Sequence, residues 1–301
     1  MAQLIKLYDY ISRYESDIHQ YPSKYIRLKQ ENWRKMKSLW ENGELVSEQE
    51  DHTEDVEERT TKRSLFLKKK KQPRKEKSIE TKQWIPSTEH ELKQYFLDGL
   101  LPFQIKWAST TLIEKSFVDK KTSNDEHLKL LLQRLPDHYL VMYKPIVELK
   151  KAPMEAEIIL IGPYEIELIT FVDVEDGTIH PSNQHHWHIK QGNSNQKIFS
   201  PLIGLKRTET FLRSVLQKYE NDFSFKHVVL APNLTIEGAQ EPYLTTFIDQ
   251  NSFEHWLSEK RKLSMPIKHG QLRVAGQLLH HTKTVAVRRP EWELDTIKKE
   301  E

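Results

Sequence analysis

The chain has 301 residues, 37% hydrophobic and 30% charged, with a formal net charge of +2, so it can build a sizeable core but attracts nucleic acid only through local patches. It has no cysteine, which excludes disulfides, thiolate zinc sites and a cysteine nucleophile. No apolar run approaches the ~20 residues that cross a bilayer, and the opening MAQLIKLYDYISRYESD is too polar for a signal peptide, so a soluble cytoplasmic protein with no membrane partner is expected.

Residues 1–45 read as a helical N-terminal arm. SKYIRLKQENWRKMKSLWENG places Ile26, Trp33, Met36 and Trp40 near a helical stripe, and Gly43 can stop the helix. Such a stripe usually packs on a main domain. Lys24, Arg27, Lys29, Arg34, Lys35 and Lys37 surround it, which leaves a partner- or nucleic-acid-binding arm as the other reading.

Residues 46–82 change character. An acidic block, SEQEDHTEDVEERT, precedes a basic one, KRSLFLKKKKQPRKEK. Segregated like charges with few aromatics rarely fold, so a disordered linker is expected. Within it Lys68, Lys69, Lys70, Lys71, Arg74 and Lys75 are candidate nucleic-acid phosphate contacts.

Residues 83–265 read as an α/β domain. Ser87 or Thr88 can cap a helix carrying Leu92, Tyr95, Phe96 and Leu100, and Asn124 or Asp125 can cap another that ends near Pro136. Strand patterns follow over 139–149, 157–161 and 165–172, the last two joined by a turn at Gly162-Pro163. GTIHPSNQHHWHIK reads as a loop with a short strand. A long amphipathic helix is expected over 201–219, a buried strand over 226–232 and a further strand over 243–248. SFEHWLSEK and GQLRVAGQLLHHT read as helices, and residues 266–301 as a helical C-terminal segment and tail. A three-strand meander, a crossover helix and another strand make a mixed sheet with helices on both faces.

This order is that of the restriction-endonuclease-like fold. The segments NDEHLKLLLQRLPDHYLVMYKPIVEL and AEIILIGPYEIELITFVDVEDGTI, then Trp187 and Ser200-Pro201-Leu202 before the long helix, resemble the bacterial nuclease-related domain (NERD) family over about residues 120–260. The resemblance implies a metal-dependent phosphodiesterase ancestry. There, carboxylates hold Mg²⁺, the metal activates water, and a Lys two residues after the second-strand acid shares its strand face.

Carried onto this chain, the helix-start acid corresponds to Glu126, or less well to Asp125. The first-strand acid corresponds to Glu157. The second-strand acid and Lys correspond to Thr170 and Val172, and a helix-start Gln falls near Gly204. The resemblance thus implies Glu126 and Glu157 as remnant catalytic acids, able at most to hold a metal weakly. Glu167 falls on the other strand face, and Asp173 and Glu175 just past the strand are the acids to which a ligand could have migrated. His180, His185, His186 and His188 read as a surface loop, with two alternatives: His186 and His188 converging on zinc if the segment is a strand, or a loop that faces phosphate.

No Gly-rich phosphate loop, Gly-x-Ser-x-Gly elbow or His-Glu-x-x-His is present, so no small-molecule cofactor is expected. Two readings stand. In the favoured one the chain is a catalytically degenerate, non-enzymatic module that binds nucleic acid or another protein. In the alternative it is an active Mg²⁺-dependent nuclease with a rearranged site.

Overall fold

The structure, a computed structural model, describes residues 1–45, 85–149, 152–182, 185–219, 223–238, 240–263 and 265–289. The expected linker over 46–82, with Lys68–Lys71, Arg74 and Lys75, lies outside the described residues, as do residues 290–301 of the expected C-terminal tail.

The chain opens on a strand, β1 (Gln3–Leu7), where a helix was expected; α1 (Arg13–Ser16) and α2 (Tyr21–Glu41) follow. The reason lies far along the sequence. The Gln104 side chain accepts from Leu4 N at 2.7 Å and donates to Ala2 O at 2.9 Å. Lys6 is fully buried, and its Nζ donates to Glu15 at 2.6 Å and to Thr284 Oγ1 at 2.7 Å. The polar groups that suggested a solvated helix face are thus satisfied inside the protein, which makes an all-buried strand possible.

Next come α3 (Glu89–Trp107), β2 (Glu114–Lys115) and α4 (Glu126–Arg134), the last capped by Asp125, whose carboxylate accepts from Leu128 N. The apolar run over 139–149 divides into β3 (Leu140–Tyr143) and β4 (Ile146–Leu149). Lys144, at φ 45°, breaks it, and β4 pairs instead with β5 (Ala152–Glu155). The hairpin β6 (Ile158–Ile161) and β7 (Glu165–Phe171) forms where its pattern placed it. The histidine-rich stretch, expected mostly as loop, is instead β8 (Thr178–His180), β9 (His186–Gln191) and the start of a hairpin with β10 (Ser194–Phe199). Then follow α5 (Pro201–Leu216), β11 (Ser224–Ala231), β12 (Thr235–Ile236), β13 (Thr245–Asp249), α6 (Phe253–Lys262), α7 (His269–His280) and β14 (Val287–Arg288).

The main sheet has the order β1-β3-β6-β7-β11-β13; β6 is antiparallel to both neighbours and every other pairing is parallel. One core cluster joins Leu140, Met142, Ile159, Ile161, Ile166 and Leu168 to Leu205, Phe211 and Leu212 of α5 and Val274 and Leu278 of α7. The alternate spacing of these strand residues puts them on one sheet face under two helices. The protein is therefore a mixed α/β fold, and among the described residues no helix is long and apolar enough to cross a membrane.

The chain divides into two compact units, Met1–Gln30 with Gly99–Glu301, and Glu31–Asp98. This departs from the expected boundaries, since residues 1–30 belong with the sheet. In the second unit Trp33 and Phe96 meet at 5.2 Å between rings, and Trp40 Nε1 donates to Pro86 O at 2.7 Å. Glu91 there accepts from Ser87 N and Oγ while its own N–H donates to Thr88 Oγ1, closing the start of α3.

Candidate nuclease-related site

The β6–β7 register places Glu157, one residue before β6, opposite Thr170. Its backbone N–H donates to Thr208 Oγ1 of α5 at 2.9 Å. After burial, the Thr170 side chain is the strongest influence on its carboxyl, favouring the charged form. Gly204, on the first turns of α5, lies so close that a Cβ there would overlap the same carboxylate. Three positions that the resemblance assigned to a metal site thus meet one another, and what they form is a packed contact.

Burial raises the pKa of the Glu157 carboxyl, while the Thr170 hydrogen bond and the Lys144 charge pull it back. A folded-state pKa above the unfolded value gives a contribution that is present below the ordinary carboxyl range and lost as pH rises through the folded value. Glu157→Gln, uncharged throughout, should therefore gain on the wild type as pH rises from 4 to 7 (the range in which an ordinary Glu at about 4.3 loses its proton), by a few degrees in melting temperature. Parallel melting curves for the two proteins across that range would show a solvated Glu157 instead.

Val172 is 7% exposed and belongs to the core cluster, and its N–H donates to Leu230 O. Glu126 is exposed in the first turn of α4. The charges acting most strongly on Glu157 are those of Lys144, Glu155 and Arg207, and not that of Glu126. Asp125 is committed elsewhere: besides capping α4 it accepts from the Tyr143 hydroxyl at 2.8 and 2.7 Å. The His127 ring stacks on Phe171 at 3.9 Å, with Nε2 3.9 Å from Asp173. Asp173 and Glu175 are both exposed.

A cleft of about 430 Å³ opens beyond the end of β1, lined by Tyr8, Asp9, Tyr10, Asp119, Asp125 and Glu155. Burial, then Asp125 and Glu155, push the Tyr8 hydroxyl up to about 12. Asp119, like Asp125, is a cap, accepting from Lys121 N at 2.9 Å. Among the described residues no group of three or more His, Asp or Glu is arranged to hold a metal ion.

Glu167 is 2% exposed and forms an ion pair with Lys260 of α6; Lys226 bridges to neighbouring Glu165 at 2.6 Å. Burial raises the Glu167 carboxyl and Lys260 opposes the rise. This polar group was not read from the sequence. The available signal was an acid between Ile166 and Leu168 of an apolar strand, which demands a buried cation, but its partner is 93 residues away.

No family model matches the chain, and no solved structure matches it. An RNA 2',3'-cyclic phosphodiesterase of Geobacillus stearothermophilus is 56% identical over 41 residues, which is 14% of this chain and 13% of that protein. A match over so small a share of either chain carries no argument about fold or activity.

Proposed function

We propose that this chain is a nuclease-related, restriction-endonuclease-like domain that has lost its hydrolytic chemistry and acts in the cytoplasm by binding nucleic acid. The carrying observation is the Glu157 carboxylate, set opposite Thr170 and against Gly204. The succession α4, β3, β6, β7, α5, β11, with β7 and β11 parallel, supports the fold assignment, because it is a helix, a three-strand meander, a crossover helix and a strand.

The residues do not fit Mg²⁺. A hard cation needs several oxygen ligands with free lone pairs. Here Glu157 is one carboxylate facing a hydroxyl, Val172 has no donor atom, Gly204 has no side chain, and Glu126 is exposed in the first turn of α4. The rearranged-site alternative would have to draw on Asp9, Asp119, Asp125 and Glu155, two of which are helix or turn caps.

The test is cleavage of single- and double-stranded DNA and RNA with Mg²⁺ and with Mn²⁺. No metal-dependent cleavage above background is expected, and Glu157→Ala should leave that result unchanged. Mg²⁺-dependent cleavage that disappears in Glu157→Ala would establish an active nuclease in place of this reading. Binding to a protein partner, with no affinity for any nucleic acid, would overturn the partner assignment alone.

A further inference from the structure

The second sheet has the order β10-β9-β8-β12, and its two faces differ sharply. Trp187 and Ile189 of β9 are fully buried, whereas His186, His188 and Lys190 alternate with them onto the other face. The register extends that face across three strands. His180 of β8 and Lys197 of β10 flank His188, and Asn195 lies beside Lys190. Phe199 stands opposite His186, with the rings 4.9 Å apart and inclined by 32°. Phe199 is 76% exposed.

This arrangement does nothing for the fold. Two imidazoles and an ammonium set directly across from one another supply no opposite-charge pair to the sheet, and an exposed phenylalanine on an edge strand invites association. Among the described residues His180, His188, Lys190 and Lys197 have no ion-pair partner. Two carboxylates lie beside this sheet: Glu237 follows Ile236 next to His180, and Asp176 accepts from the Gln191 side chain at the far end of β9. Loss of solvation, then Lys197, His185 and His188, hold the His186 imidazole below its ordinary range, which favours a neutral ring available for stacking.

We propose that this face binds single-stranded nucleic acid, with Lys190, Lys197, His180 and His188 along the phosphates and an unpaired base stacked on the Phe199–His186 pair. The inference rests on the nucleic-acid reading above and locates it. Cations that track a backbone beside an exposed aromatic ring are what a single strand needs, since only an unpaired base offers its face. A duplex would leave Phe199 without a partner.

Fluorescence anisotropy tests this with labelled single strands of about 12 nucleotides, RNA and DNA, and the matching duplex. Phe199→Ala should weaken single-strand binding about tenfold and leave duplex binding unchanged. Lys190→Ala with Lys197→Ala should lower the steepness of the log–log salt dependence by about 1.4, two phosphates' worth for a single strand. Both changes lie on an exposed face, and circular dichroism confirms that the variants fold. If the wild type binds and neither variant alters affinity or slope, this face is excluded while the nucleic-acid reading survives; alanine at Lys68–Lys71, Arg74 and Lys75 then tests the other basic segment. If the wild type binds none of the probes, the nucleic-acid reading falls and this inference with it. Equal losses for duplex and single strand in Phe199→Ala would overturn the stacking assignment.

Discussion

Lys260→Met should destabilise the protein by about 3–5 kcal/mol at neutral pH, the usual cost of removing one partner of a buried ion pair. The loss comes from Glu167, which is left charged in an apolar setting with only Lys226, its register neighbour on β11 and already bridged to Glu165, to offset it. Lys260 also lies over the Tyr139 and Trp256 rings, at 6.0 and 5.8 Å from their centroids, so its stem and charge hold α6 to the sheet together. The pH dependence follows from the Glu167 carboxyl, which burial already raises. Without Lys260 it rises further. A raised folded-state value means that stability is retained below the ordinary glutamate range and lost as pH climbs through the folded value. The deficit of Lys260→Met relative to the wild type should therefore grow from about pH 4 to 7 and shrink again on acidification. Lys260→Met combined with Glu167→Leu should recover most of the loss, because two apolar residues of similar volume leave no charge unpaired. Urea unfolding at several pH values measures all three. A deficit below about 1 kcal/mol, or one that does not vary with pH, would mean that Glu167 is not a buried charge.

Introducing a Glu-x-Lys pair by Thr170→Glu with Val172→Lys should not produce metal-dependent cleavage, and should cost about 3 kcal/mol or more. Val172 is buried in the core cluster, and the ammonium brought there would be desolvated among apolar neighbours, with only the carboxylates at positions 157 and 170 as counter-charges. The carboxylate introduced by Thr170→Glu would lie opposite the half-buried Glu157 carboxylate, so two acids would compete for one partly desolvated space. Val172→Ile serves as the control and should change stability by less than about 1.5 kcal/mol. Thermal and urea unfolding give the stability, and the nucleic-acid cleavage assay gives the chemistry. A double variant with wild-type stability and Mg²⁺-dependent cleavage would show that only two side chains separate this site from a nuclease.

How far such behaviour is legible differs from one element to the next. The β6–β7 hairpin was readable because its signals are local: apolar runs on both arms, and a Gly162-Pro163 turn where Gly162 N donates to Glu165 O at 2.9 Å. That turn sets the register, and the register pairs Glu157 with Thr170, so the opposition of acid and hydroxyl was available from the sequence. The helix α4, with Asp125 as its cap, and the helix α5, with its apolar face of Leu205, Phe211 and Leu212, are local in the same sense. Closure of the site was not: nothing near Gly204 in the chain says that its missing Cβ is where the Glu157 carboxylate lies.

The exposed face of β9 shows the same limit. His186, His188 and Lys190 alternate with Trp187 and Ile189 in a true strand period, yet the polar residues outnumber the apolar ones, and the stretch read as loop until β8 and β10 supplied hydrogen-bonding partners on either side. β1 is the strongest case. QLIKL carries both helix and strand character, and Gln3 and Lys6 argue against burial until Gln104, Glu15 and Thr284 meet the groups around them. Periodicity and caps report on neighbours within a turn or a hairpin. Whether a buried polar group is satisfied depends also on partners such as Gln104 and Thr284, 100 and 278 residues from Leu4 and Lys6, and those come together only when the chain packs.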